Sequence, residues 1–278
     1  MEADLESRLR GYVSFIDTNP GTSSTMSILV RLSRSYFAGL CRYRSSPNCS
    51  EESKRETMKK QKAGLDGLIS AATACASTLY NSHAQRFIQP APKISEIEPP
   101  LKEFASSWAI DFQNNIISGS STYKNFQDTI RKSAKDLSID AIVYVSGGGL
   151  EPACIASNEL NCGTVVPVKF SPYKNRDSKV FVPDSVLDYL FKSVAGKKVL
   201  VVDDWLSSGM TMRTVLEFVG NLEPHRLYGS AVITSVSPVN IKGIKSEIVP
   251  GPDRGHNQAC VFRVDGFYEL NKCDGTKP

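Results

Sequence analysis

The sequence predicts an open α/β domain with a mainly parallel sheet, preceded by an α-helical N-terminal extension. Three observations support this. Apolar, β-branched runs occur at 139–145, 164–170, 198–202, 227–236 and 259–264. Helical stretches at 150–160, 184–194 and 210–221 separate the first four, and fully apolar strands alternating with helices imply a sheet covered on both faces. Upstream, Pro90, Pro92, Pro99 and Pro100 crowd residues 89–100, a density that disfavours helix and reads as an extended connector.

The expected order is therefore a helical region at 1–88, a proline-rich linker at 89–100 and an α/β domain at 101–278. In the first region, residues 24–43 place Ile28, Leu29, Leu32, Tyr36, Phe37 and Leu40 at helical spacing behind Ser24, a residue type suited to an N-cap. Residues 51–82 read as a longer helix. Its first half is charged, and its second holds Leu65, Leu68, Ile69, Ala72, Leu79 and Tyr80. The second half should pack on protein while the first half stays solvated. An assembly role for 1–88, as a homodimer contact or a partner dock, is the expectation, with 89–278 folding alone.

In the α/β part, two amphipathic helices come first, one with Leu101, Phe104, Trp108, Phe112 and Ile116, the next with Tyr123, Phe126, Ile130 and Leu137. The strand and helix alternation follows. Residues 237–278 follow, with Pro250-Gly251-Pro252-Asp253-Arg254-Gly255-His256 ahead of the run at 259–264.

Composition narrows the classes. Of the 278 residues 41% are hydrophobic and 22% charged, which excludes disorder throughout. Thirty-three Lys+Arg against 29 Asp+Glu leave +4, which does not by itself indicate nucleic acid. The seven cysteines form no CxxC pair, and no apolar run approaches the roughly 18 residues of a membrane helix. A reduced, cytoplasmic protein is expected.

Ligands of open α/β sheets sit at the carboxyl ends of the strands. After 139–145 comes Ser146-Gly147-Gly148-Gly149, where missing side chains let backbone amides approach an anion. A tight turn would use the same residues. After Val199–Val202 come Asp203 and Asp204, then Trp205-Leu206-Ser207-Ser208-Gly209-Met210-Thr211 and a helix. Adjacent carboxylates at a buried strand end are costly unless they meet water, hydroxyls or metal. Hydroxyls and a glycine at a helix start suit a phosphate. The pattern should arise by chance with probability on the order of 10^-4 at average composition.

This segment, VLVVDDWLSSGMT, resembles the phosphoribosyl-diphosphate (PRPP) binding motif of the type I phosphoribosyltransferase family, and SGGG resembles that family's pyrophosphate loop. The resemblance runs from about 101 to 236. It implies a Mg²⁺-dependent displacement of pyrophosphate from PRPP by a nucleobase or similar nitrogen nucleophile. It places Asp203 and Asp204 on the ribose hydroxyls, directly or through Mg²⁺, and Ser207, Ser208, Gly209, Met210 and Thr211 on the 5-phosphate. Ser146, Gly147, Gly148 and Gly149 take the pyrophosphate. Magnesium is then held mainly by ligand oxygens.

Departures matter too. SGGG lacks the cation that many family members carry there, which leaves Lys169, Lys174 and Arg176 to supply it. Ser207 stands where purine salvage enzymes carry an acid, which argues against hypoxanthine or guanine. Trp205 replaces a small aliphatic residue and is expected as a core anchor, with a stacking surface as its other use. In the family it resembles, a variable hood built from segments at either end of the core recognises the acceptor, which makes 101–117 and 237–278 the candidates here, and neither segment identifies the acceptor. A Ser–His hydrolase fails at the nucleophile elbow, and neither a Rossmann fingerprint nor a Walker A segment is present. A PRPP-sensing regulatory protein and a partner-docking effector remain as alternative readings.

Overall fold

The computed structural model describes residues 11–43, 49–80, 98–101, 118–170, 179–235, 248–249 and 259–264. Helix α1 spans Ser23–Leu40 and is capped by Thr22, whose hydroxyl accepts from the Thr25 N–H at 3.1 Å. Ser24, the expected cap, lies one position inside, because Thr22 is the residue with extended backbone at the point where the helical hydrogen bonds begin. Helix α2 spans Glu51–Leu79 behind Ser50, whose hydroxyl accepts from Ser53. Its charged first half carries Lys54–Glu51 and Lys60–Glu56 pairs at 2.7 and 3.4 Å, while Leu65, Leu68 and Ala72 in its second half are buried. This matches the division read from the sequence.

Residues 98–101 are helical, so Pro99 and Pro100 sit in a short helix instead of an extended connector. Proline is tolerated in a first helical turn, where its missing N–H costs nothing. The rest of the linker and the 102–117 helix lie outside the described residues.

The remaining elements are α3 (Ser121–Ser133), β1 (Ala141–Val145), α4 (Leu150–Leu160), β2 (Val165–Phe170), β3 (Val180–Phe181), α5 (Asp184–Val194), β4 (Lys198–Leu206), α6 (Met210–Gly220), β5 (Arg226–Thr234), β6 (Ile248–Val249) and β7 (Cys260–Val264). They form one sheet in the order β3-β2-β1-β4-β5-β7-β6. The central strands β2, β1, β4 and β5 are parallel, and β3, β7 and β6 are antiparallel additions. From β1 the chain moves outward to β2 and later returns to the other side of β1 as β4. The β1/β4 boundary is therefore the point where strand order reverses and a crevice opens.

Ile142 and Val143 of β1 and Val199 to Val202 of β4 are fully buried, as their β-branched and leucine side chains favour in a strand covered on both faces. The N-terminal helices supply part of that cover. Asn158 of α4 donates to the Thr73 carbonyl of α2 at 3.0 Å, and the Ser33 hydroxyl of α1 meets the Tyr144 hydroxyl of β1 at 3.3 Å. Buried apolar residues run as one continuous cluster from Val13 to Val264. No helix among the described residues is long and apolar enough to cross a membrane. Among the described residues six cysteines stand as free thiols, and burial pushes Cys154 up to about 12.

Candidate active site

Two turns, far apart in the chain, meet at the β1/β4 boundary. β1 ends at Val145, and Ser146 to Gly149 lead into α4. The Ser146 N–H donates to the Val168 carbonyl of β2 at 2.7 Å, and the Gly149 N–H closes back on Val145 at 3.1 Å. On the adjacent strand, Asp203 and Asp204 are followed by paired residues, because β4 continues to Leu206 with Trp205 opposite Ile233 and Leu206 opposite Thr234. The sequence alone placed the strand end at Val202. Four further residues stay in register with β5 instead, which holds both aspartates on rigid backbone.

Tyr144 is paired with Val202, so the glycine turn and the aspartates are brought side by side. A Cβ on Gly148 would overlap the Asp204 carboxylate. Glycine there lets the Asp204 carboxylate rest against the turn, and any side chain at 148 would have to push that carboxylate aside.

Asp203 is 6% exposed, and its Oδ1 accepts from the Asp204 N–H at 2.9 Å. Burial first, then the charge on Asp204, holds the Asp203 carboxyl well above the ordinary carboxylate range. A cation arriving at the two adjacent carboxylates would favour their charged forms. Among the described residues no three His, Cys, Asp or Glu side chains gather as a metal cage. Two carboxylates without a third suit Mg²⁺, which takes its other ligands from water and from substrate oxygens.

Beyond β4, Ser207 and Ser208 are exposed and Gly209 adopts φ 79°, a left-handed conformation that turns the chain into α6. Side chains other than glycine reach it with difficulty. The Ser208 hydroxyl accepts weakly from Met210 N–H at 3.4 Å. The other first-turn N–H groups of α6 have no intrahelical acceptor, as at any helix start. Met210 is exposed and Thr211 half-buried beside them. The assembled surface thus offers two carboxylates, free N–H groups and hydroxyls within one crevice.

The other residues singled out are distributed unevenly. Lys169 is half-buried at the end of β2, directly after the Val168 carbonyl that holds Ser146, which puts it beside the glycine turn in register. Lys174 and Arg176 lie outside the described residues, as do most of 237–278. Trp205 is no core anchor. It is 44% exposed, and its indole N–H donates to the Ser235 hydroxyl at 2.9 Å. Asp203 and Trp205, two residues apart in β4, share one face of the strand, and Trp205 lies nearer the strand end, where that face opens to solvent.

Pattern reading missed two groups. Arg34 of α1 is half-buried, and burial holds its guanidinium below the ordinary arginine value although the nearby Asp204 charge works in the opposite direction. Its signal was faint: an arginine four residues after Val30 and three before Phe37, on a face otherwise apolar. The second group is Glu151, buried in the first turn of α4. Its carboxylate accepts from Tyr80 at 2.5 Å, Ser118 at 2.7 Å and the Gly119 N–H at 3.3 Å. Burial raises its pKa against these donors. An open cavity of about 700 Å³, lined by Lys62, Asp66, Asn158, Asn161 and Tyr189 among others, lies near the start of β2 and shares none of these residues.

Comparison with known proteins places this geometry in context. Residues 120–238 match the family described as phosphoribosyl transferase domain. The transcriptional regulator GfcR of Methanococcus maripaludis strain C5 is 27% identical over 138 residues, covering 48% of this chain and 63% of the relative. GfcR of strain C7 is 25% identical over the same shares. The chain thus spans less than two thirds of the length of these relatives. Among solved structures, a purine phosphoribosyltransferase from Pyrococcus horikoshii is similar over 42% of this chain and 77% of its own, with 22% identity and a TM-score of 0.35. A hypoxanthine-guanine phosphoribosyltransferase from Bacillus anthracis covers 45% and 73%, with 17% identity and a TM-score of 0.33.

Proposed function

We propose, from the match of residues 120–238 to the phosphoribosyl transferase domain family, that the protein transfers a phosphoribosyl group from PRPP to a nitrogen nucleophile with release of pyrophosphate. The observation that carries the proposal is the closure of Gly148 on Asp204, which unites the glycine turn, the aspartate pair and the α6 start in one crevice.

Each part then has a task. The 5-phosphate sits on N–H groups of residues 207–211, with hydroxyl donors from Ser207, Ser208 and Thr211 and room made by Gly209. Asp203 and Asp204 hold the ribose hydroxyls and stabilise the positive charge that develops as the bond from ribose C1 to the pyrophosphate oxygen breaks and the bond to nitrogen forms. The amides of Ser146 to Gly149 receive the departing pyrophosphate, with Lys169 at the flank. When bound, Mg²⁺ held by ligand oxygens with Asp203 and Asp204 neutralises charge on the leaving group.

Ser207 offers no acid at the position facing the acceptor, so hypoxanthine and guanine are poor fits. Trp205, projecting at the crevice edge, gives a flat apolar surface against which a ring could stack. The direct test is Mg²⁺- and PRPP-dependent pyrophosphate release with a panel of nucleobases and other nitrogen acceptors. Release with one acceptor is expected.

A second reading has an observation of its own. The curated relatives at 27% and 25% identity are transcriptional regulators, and a pocket that binds PRPP without turnover would serve as a sensor. PRPP binding without pyrophosphate release across the panel would select that reading.

A further inference from the structure

We propose that Arg34 supplies the cation for the pyrophosphate end of bound PRPP, so that α1, which lies outside the matched 120–238 segment, forms a wall of the site. This rests on the PRPP reading above.

The argument starts from a shortage. Ser146-Gly147-Gly148-Gly149 contains no charged side chain, yet a diphosphate carries several negative charges, which Mg²⁺ and Lys169 at the flank offset only in part and without a paired set of donors. Helix α1 is held against this turn from both sides. Ser33 meets the Tyr144 hydroxyl, two residues before Ser146. Ser27 donates to Ser118 at 3.2 Å, and Ser118 donates to Glu151, two residues after Gly149. The helix is thus tied to residues on both flanks of the turn.

Arg34 follows Ser33 directly. It is half-buried and within electrostatic reach of Asp204, whose carboxylate rests on Gly148. The helix that carries Arg34 is therefore bound beside the glycine turn, and the Asp204 charge acts on its guanidinium. Its planar fork of donors matches the paired oxygens of a phosphoryl group, which lysine cannot reproduce. Burial disfavours the guanidinium charge while Asp204 favours it, and a diphosphate ligand would add to the favourable side.

The experiment is calorimetric titration of the full chain with Mg²⁺-pyrophosphate, Mg²⁺-PRPP and ribose 5-phosphate. Arg34→Ala should weaken pyrophosphate and PRPP by roughly 10- to 100-fold, the range for losing a charge-assisted contact, and leave ribose 5-phosphate unchanged. Arg34→Lys should fall between, keeping the charge without the fork. It also serves as the test variant if the alanine substitution does not fold. Unchanged pyrophosphate affinity in both variants overturns the proposal while wild-type PRPP binding stands. An equal loss for ribose 5-phosphate assigns Arg34 to holding the structure and also overturns it. A wild-type chain that binds none of the three ligands defeats the PRPP reading itself.

Discussion

Gly148 lies so close to the Asp204 carboxylate that a methyl group at residue 148 and the acid cannot occupy their present positions together. The carboxylate is the freer of the two, being the end of a side chain. Gly148→Ala should therefore leave the fold standing and push Asp204 aside. The expected outcome is a melting midpoint within a few degrees of wild type, with Mg²⁺-PRPP affinity lowered at least about tenfold. Unchanged affinity would mean that Asp204 does not act from its present position.

The aspartate pair itself gives a sharper test. Asp203→Asn together with Asp204→Asn replaces both carboxylates by amides of similar shape, so the strand should keep its register with β5. Calorimetry should show loss of Mg²⁺-dependent PRPP binding and no pyrophosphate release. Equal affinity in the double variant would remove the site from this crevice.

Asp203 also couples stability to pH. Its carboxyl is raised above the ordinary value of 3.8 by burial and by Asp204, so the folded chain holds a proton that the unfolded chain has released. That contribution is fully present below 3.8 and is lost as pH rises toward the raised value. Asparagine does not titrate. Asp203→Asn without Mg²⁺ should melt close to wild type near about pH 4 and gain on it by roughly 2–8 °C at about pH 8. A difference that shrinks with rising pH would contradict the buried, protonated state.

Tyr80 and Glu151 join the end of α2 to the first turn of α4 through a buried hydrogen bond. Tyr80→Phe removes that donor from a buried carboxyl and should cost about 1–3 kcal/mol. In a double-mutant cycle with Glu151→Gln, a coupling of about 0.5–3 kcal/mol is expected. Additive losses would show that the two act independently.

The truncation at residue 89 sets two physical pictures against each other. A proline-rich spacer predicts an independent 89–278 unit. The packing of Leu65, Leu68 and Ala72 into a shared core, with Asn158 bonded to Thr73, predicts instead that the fragment aggregates or melts far earlier than the full chain. Light scattering and thermal melts of the two side by side decide, and a monomeric fragment with an undiminished midpoint would favour the spacer.

The elements legible in the sequence were those with enough residues to show a period. β1, β2, β4, β5 and β7 announced themselves as apolar runs, and α2 as a helix that changes from charged to apolar midway. The two-residue strands β3 and β6 are too short to leave a pattern. Trp205 was misplaced because the sequence marked the end of β4 at Val202. The strand continues to Leu206, and Trp205 stands near its open end on the same face as Asp203, where it is 44% exposed. The aspartates and glycines were legible because the residue types themselves are costly at a strand end. Arg34 was not, since its meaning depends on an approach to Asp204 that no local pattern encodes.

The tie between α1 and the sheet also bears on how the chain comes to exist. Synthesis proceeds from the N-terminus, so α1 and α2 leave the ribosome before β1, α4 and β4 have been made. Their apolar faces then have no sheet to cover, and contacts between such distant segments form slowly. The nascent protein therefore passes through a stage with two helices unsheltered. Low temperature or a chaperone that shields them should raise the yield of folded chain, while substitutions that make those faces more apolar should lower it.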